Sequence, residues 1–282
     1  PTRPGLAHFH EHMLFLGTEE YPGEDEYEAY LAKNGGSSNA YTDMEDTNYY
    51  FSLNSPSPSA LPGALDRLAS FFKEPLFDEN MVEREMRAVD SEFRNGLTDD
   101  GWRQFQLLKH TANPSHPMSK FGCGNYATLS SGDGPGPDLR AFWLDHYHAS
   151  NCKLCVVGRS SLPALSSYAS SAFSSVRPSP PGFLRYSGSP VPAFPKVGIV
   201  REFRPMKDRR SVKLSFPVPP CEAPGCRESK PHRLASHLMG YEGENSLHSR
   251  LVGRGLIRGL SAGIGVDGSG FSMFTVTVAL TE

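Results

Sequence analysis

The chain has 282 residues, of which 38% are hydrophobic and 21% charged, and its formal net charge is −3. This composition is typical of a globular protein with one large or two ordinary domains, and it argues against a nucleic-acid-binding surface. No apolar run approaches the ~20 residues of a membrane span, the first residues lack a signal-peptide pattern, and five cysteines disfavour a disulfide framework. We therefore expect a reducing, cytoplasmic location, with an organellar form left open.

The first part of the chain predicts two helices followed by a β-hairpin. Residues 4–16 predict a helix, because a proline stands at its start and a glycine just past its end. Residues 25–34 predict a second helix. The segments 37–43 and 47–54 predict two strands, since the second alternates apolar and polar side chains with the period of a half-buried strand.

The middle of the chain predicts mostly helices. The apolar segment 153–158 is the exception and predicts a buried strand. The helices are expected at residues 61–73, 78–97, 101–110, 138–149 and 162–174.

Six prolines within residues 178–195 exclude a regular element there and indicate a linker or domain boundary. Beyond it, residues 211–218 and 271–280 predict strands, and 232–240 and 246–254 predict helices. Helices mixed with neighbouring strands favour an α+β fold, with helices layered on a sheet.

The stretch "LAHFHEHMLFLG" (residues 6–17) carries titratable side chains in an apolar helix. His8 and His12 are one turn apart and share a face, whereas His10 points away. Glu11 lies on the flank of that face. This H-x-x-E-H order is the inverse of the zinc-peptidase H-E-x-x-H signature, although ordinary buried histidines would fit the five residues equally well.

A catalytic zinc needs a third protein ligand, and helix 78–97 is the obvious source. Acidic residues flank its apolar stripe on both sides, Glu85 and Glu92 on one and Glu83 and Asp90 on the other. Periodicity alone leaves both pairs open.

Further stretches have an order and spacing that closely resemble the pitrilysin family of inverted zinc metallopeptidases, over nearly the whole chain. His10 is a departure, because the resembled sequence has Cys there. The stretches are "GSSNAYT", "TNYYF", "GALDRLASFF", "EPLFDE", "RAVDSE", "WRQFQLLK", "NPSHPMSKFGCGN" and "LMGYEGENSL".

The resemblance implies a zinc endopeptidase that hydrolyses peptides with a metal-activated water, and it selects one acidic pair. Its metal ligands fall on His8, His12 and Glu92, which would hold one Zn2+ per catalytic domain. Its general base falls on Glu11. Glu85 matches an acid that would orient a ligand histidine.

The resemblance also implies residues that bind the peptide substrate. Asn39, Ala40 and Tyr41 match a sheet edge to which the peptide adds as a strand. Three aromatic residues match the lining of the cleft, and four residues of the second half match a surface that anchors the substrate N-terminus. These seven residues are Phe15, Trp102, Phe105, His237, Gly240, Glu242 and Leu260.

By the same resemblance, residues 1–186 would be a catalytic domain of the two-layer helix/sheet fold that lacks its first strand. Residues 187–282 would begin a second, non-catalytic domain of the same fold. The expected partners are peptide substrates and the remaining C-terminal half of a longer chain, with a homodimer also allowed. Neither nucleic acid nor a membrane is expected as a partner.

Two other functions compete with the enzyme: a non-catalytic relative, and a peptide-binding fragment without turnover. The first is disfavoured because the motif residues are all present. A second metal site is also disfavoured, because Cys152 and Cys155 would face opposite sides of a strand. The role of Cys221 and Cys226 is left open.

Overall fold

A computed structural model describes residues 3–195 and 198–281, which group into two units. The first contains Pro1–Asn95 and Phe121–Arg185, and the second contains Gly96–Lys120 and Tyr186–Glu282. The later change of unit lies inside the predicted Pro-rich boundary. The domain limits of 1–186 and 187–282 stay a prediction.

Most predicted elements are present with slightly different bounds. The strands are β1 (Ser37–Thr42), β2 (Thr47–Ser52), β3 (Ser211–Val218), β4 (Ile257–Gly268) and β5 (Phe271–Leu280). The helices are α1 (Leu6–Leu14), α2 (Glu26–Lys33), α3 (Ala60–Lys73), α4 (Glu79–Gly96), α5 (Asp100–Lys109), α6 (Tyr126–Leu129), α7 (Gly136–His146), α8 (Leu162–Phe173), α9 (Cys226–Ser229), α10 (Pro231–Met239) and α11 (Leu247–Gly253). This mixture confirms the α+β class.

The core of the first unit fixes α4 against α1. Phe9 and Met13 of α1 are fully buried and share one apolar cluster with Met86 and Val89 of α4. Each such side chain contributes about 1.5–3 kcal/mol when it is fully buried. Because Met86 and Val89 face α1, an acidic flank of α4 lies beside the histidine face.

The hairpin of β1 and β2 is antiparallel, with Ala40 opposite Tyr49 and Thr42 opposite Thr47. Along β1 the side chains of Ser38, Ala40 and Thr42 are half-buried, and those between them are exposed. Within residues 3–195 and 198–281, β1 pairs with β2 alone, so its other edge is open.

The predicted strand at 153–158 is wrong. This segment has no regular structure, and Leu154 and Val157 are exposed. A β-strand needs a neighbour to satisfy its backbone N–H and C=O groups, and no described strand pairs with it. The argument that Cys152 and Cys155 face opposite sides of a strand therefore does not hold.

The second unit is built on an antiparallel sheet with strand order β3-β5-β4. Helices α10 and α11 pack against β4. The sequence did not predict strand β4. The carboxylate of Asp100, at the start of α5, accepts hydrogen bonds from the backbone N–H groups of Met206 and Lys207, which lie in the loop before β3. None of the described helices has the length and apolar character required to cross a bilayer.

Candidate metal centre

Three side chains of the first unit converge on one point. His8 Nε2 and His12 Nε2 lie 3.3 Å apart, and Glu92 Oε2 lies 3.4 Å from the first and 3.6 Å from the second. A tetrahedral zinc ion with bonds of ~2.1 Å has neighbouring ligand atoms ~3.4 Å apart. The two imidazoles and the carboxylate therefore fit three corners of a zinc site.

Contacts on the far side of each ring orient both imidazoles. His8 Nδ1 lies 2.8 Å from the carbonyl oxygen of Cys123, to which it can donate its proton. His12 Nδ1 lies 3.5 Å from Glu85 Oε1. If each Nδ1 carries the ring proton, both Nε2 lone pairs are free to bind a cation, an arrangement that is usual for metal-binding histidines.

The charges around this point favour a cation. Burial opposes protonation of His12, but the carboxylates of Glu85 and Glu92 outweigh it and raise the His12 pKa from 6.5 to about 9. The hydrogen bond from His12 in turn lowers the pKa of Glu92. Two carboxylates thus face two imidazoles, an excess of negative charge that a divalent cation would balance.

The structure brings Glu85 and Glu92, rather than Glu83 and Asp90, to the histidines. Glu83 instead accepts hydrogen bonds from Arg87 and from the Tyr126 hydroxyl. Asp90 accepts from Arg94 and from the Tyr126 backbone N–H. Both side chains on this second flank are therefore held away from α1.

Glu11 is buried in α1, and its carboxylate is fixed from the hairpin. The hydroxyl of Thr42, the last residue of β1, donates to Glu11 Oε2 over 2.5 Å. The Thr42 hydroxyl also lies 3.2 Å from that of Thr47 on β2. The end of the hairpin therefore sets the direction of the Glu11 carboxylate.

His10 points away from the convergent ligands into an aromatic pocket. Its ring centroid lies 4.5–5.2 Å from those of Phe77, Phe142 and Tyr147. Burial, aided by His146, lowers its pKa from 6.5 to about 3. Both ring nitrogens are buried without a hydrogen-bond partner, so His10 is a neutral core residue.

The predicted substrate-binding residues of the first unit have two different surroundings. Asn39 and Tyr41 are exposed on the open strand β1, with the half-buried Ala40 between them. Phe15 packs into the aromatic core, with its ring centroid 5.3 Å from that of Phe71 and 6.1 Å from that of Tyr27. Binding of substrate by any of them stays a prediction.

The remaining predicted residues belong to the second unit. Trp102 is 63% exposed on α5, and its ring centroid lies 6.4 Å from that of the half-buried Phe105. Of the four others, His237 is on the last turn of α10, Gly240 caps this helix and Glu242 is exposed just beyond it, whereas Leu260 lies on β4. Their roles also stay predictions.

The sequence did not predict two contributors to the site: the Thr42 hydroxyl and the Cys123 carbonyl. Thr42 is separated from Glu11 by 31 positions and Cys123 from His8 by 115. A threonine in the quoted "GSSNAYT" was a weak signal for the first. A backbone carbonyl leaves no signal in the residue type.

Comparison with known proteins gives two family matches. Residues 1–115 match the model described as "Insulinase (Peptidase family M16)", and residues 136–282 match "Peptidase M16 inactive domain". The A-factor-processing enzyme of Saccharomyces cerevisiae is 40% identical over 99% of this chain. Human insulin-degrading enzyme is 41% identical over all of it. The chain spans 27% and 28% of the length of these two relatives.

A solved structure of pitrilysin superposes on 98% of this chain with a TM-score of 0.86 and 31% identity, and the match covers 29% of that structure. A protease from Helicobacter pylori superposes with a TM-score of 0.77 at 21% identity, which supports the fold alone. The resemblance drawn from the sequence motifs is thus confirmed.

Proposed function

This chain belongs to peptidase family M16, and we propose that it carries the metal centre of a zinc-dependent endopeptidase. The observation that supports this most is the approach of His8, His12 and Glu92 to within 3.3–3.6 Å of one another. The inverted order of the motif agrees with this family.

We propose His8, His12 and Glu92 as the residues that hold the ion. Zinc bound there would supply a Lewis acid that makes water a nucleophile near neutral pH and polarises a peptide carbonyl. The chain's own part is to fix the ligands. The Cys123 carbonyl and the Glu85 carboxylate do so by holding the two rings from behind.

Glu11 is proposed as the general base. It lies on the flank of the helical face that carries His8 and His12, and the Thr42 hydroxyl directs its carboxylate. It would accept a proton from the attacking water and pass it to the nitrogen of the leaving amine, a transfer that is worth roughly 10²–10⁴ in rate.

The open edge of β1 is the proposed place for the peptide. Backbone groups of Asn39, Ala40 and Tyr41 could pair with an extended chain of many sequences, because strand addition relies on main-chain hydrogen bonds. Thr42 connects this edge directly to Glu11. Full activity is proposed to need further sequence, since this chain spans 27–29% of its relatives.

Replacement of Glu11 by Gln in the full-length protein, which includes the further sequence that full activity is proposed to need, tests the proposal. We expect the variant to keep stoichiometric zinc and to lose peptide cleavage by roughly 10²–10⁴-fold. Glu83→Gln is the control, because Glu83 lies on the other flank of α4, and it should keep both zinc and activity. Atomic absorption and cleavage of an unstructured peptide give the two readouts.

Two results would contradict the proposal. Loss of zinc from Glu11→Gln would make Glu11 a ligand instead of a base. A zinc-loaded, full-length parent protein that binds peptides without cleaving them would favour a peptide-binding module.

A further inference from the structure

A second group of reactive side chains lies in the second unit, where α10 begins. Cys221 Sγ is 3.8 Å from Nδ1 of His232, and both residues are half-buried. The thiolate is the reactive form of cysteine, and a neighbouring imidazole that takes the proton favours it. The pair therefore has the composition of an activated thiol.

Both members of this pair are anchored. The Cys221 backbone N–H donates to the hydroxyl of the buried Ser272 over 3.0 Å, and that hydroxyl donates to the Asp267 carboxylate. On the other side, the His232 carbonyl accepts from the Ser236 hydroxyl over 2.7 Å. Strands β4 and β5 thus hold the thiol, and α10 holds the imidazole.

A second cysteine follows in the same loop. Two successive turns fold the segment between the thiols. The Ala223 N–H donates to the Pro220 carbonyl, and the Cys226 N–H donates to the Ala223 carbonyl. Gly225, at φ +81°, allows the second turn to lead into α9. Cys221 and Cys226 are both free thiols.

These residues do not form a second metal centre. In residues 3–195 and 198–281, the group of three side chains that could hold a metal is the one already described in the first unit. Charged residues on the surrounding segments bear both signs, so no single charge dominates the pair. They are Glu222 beside Cys221, Glu228 on α9, Lys230 and Arg233 beside His232, and Asp267 on β4.

We propose that Cys221 is a peroxide-reactive thiol, activated by His232, and that Cys226 is its resolving partner. His232 takes the thiol proton, and the sulfur attacks a hydroperoxide. The S–O bond forms as the O–O bond breaks, and the alcohol leaves with the proton. The Cys226 sulfur then attacks the oxidised sulfur, which forms the disulfide and releases water.

Alkylation of the native chain tests the activation. Iodoacetamide is applied from about pH 5 to about pH 10, and mass spectrometry follows each cysteine separately. Cys155 is the internal control, since it is exposed and lies in the other unit. We expect the reactivity of Cys221 to rise at lower pH than that of Cys155. Equal midpoints would overturn the activation.

Two variants test the individual roles. His232→Asn should slow alkylation of Cys221 near neutral pH by about tenfold and leave Cys155 unchanged. After treatment with hydrogen peroxide, the parent chain should show a link between Cys221 and Cys226. Cys226→Ser should instead accumulate a sulfenic acid on Cys221, trapped by dimedone. Oxidation of the parent without this link would overturn the resolving role, and none of these readouts depends on peptidase activity.

Discussion

His8 and His12 differ in what holds their rings, although they lie on one helical face. A neutral carbonyl faces His8, whereas a carboxylate faces His12 and helps to raise its pKa to about 9. Sequence spacing was enough to predict the two histidines. It could not select the third ligand, because both flanks of α4 carry acids at equivalent positions.

The two acids that face the histidines should contribute unequally to metal binding. Glu92→Gln removes a proposed ligand and should reduce stoichiometric zinc to a trace. Glu85→Gln removes only the acceptor behind His12 and should weaken zinc binding roughly 10- to 100-fold. Competition with a chromogenic chelator measures both affinities. Glu83→Gln should bind like the parent, and an equal loss in all three variants would contradict the assignment.

Thr42 should act on catalysis through Glu11. Thr42→Val removes the donor to the Glu11 carboxylate, so we expect kcat/KM to fall by roughly 10- to 100-fold with zinc retained. Thr42→Ser is the control, because it keeps the hydroxyl and should restore activity. An unchanged kcat/KM in Thr42→Val would show that this hydrogen bond does not direct Glu11.

His10 should make folding less stable in acid. Its pKa of about 3 in the folded chain lies below the ordinary 6.5, so only the unfolded chain binds its proton between these values. The free energy of unfolding therefore falls as the pH drops below 6.5. Between pH 7 and pH 5, the parent should lose about 2 kcal/mol more than His10→Leu. Urea denaturation of both proteins with a chelator present measures this difference, and parallel losses would contradict it.

At the scale of elements, the sequence predicted those whose pattern is local. The apolar stripe of α4 and the alternation in β2 both survive in the structure. The sequence did not predict strand β4, because its four glycines weaken any strand pattern. Its low strand propensity is offset by backbone hydrogen bonds to β5. The segment 153–158 had a strand pattern but has no described neighbour to pair with.

The element that carries His8 depends on a close backbone approach. Gly124 follows Cys123, whose carbonyl faces His8, and a Cβ at Gly124 would lie 2.9 Å from the Cα of Gly5. Its φ of +76° is also unfavourable for other residues. Gly124→Ala should therefore destabilise the fold by about 2–4 kcal/mol and weaken zinc binding.

Gly132 is the matched control for this substitution. Its φ is +59°, but an added Cβ would meet nothing within 4 Å. Gly132→Ala should cost only about 1 kcal/mol and leave zinc affinity unchanged. Urea denaturation and zinc titration separate the two effects, and equal costs in both variants would show that the approach of Gly5 is unimportant.

At the scale of the whole chain, each unit has sheet edges that no strand of residues 3–195 and 198–281 covers. In the first unit one of them is the edge of β1, the proposed place for the peptide. In the second unit one of them is the edge of β3, where three side chains that pair across to β5 remain 42–50% exposed: Val212, Leu214 and Phe216. Exposed apolar edge strands tend to associate with one another.

We therefore expect this 282-residue chain to self-associate through β3 as its concentration rises. Leu214→Lys places a charge at the centre of the exposed strand face and should shift the chain towards monomer, because burying an unpaired ammonium between two sheets is costly. Leu184→Lys is the control, since Leu184 is 88% exposed in an irregular segment. Light scattering coupled to size exclusion, over a range of loading concentrations, measures the mass. A parent chain that stays monomeric throughout, or equal effects of the two substitutions, would show that β3 is not the associating surface.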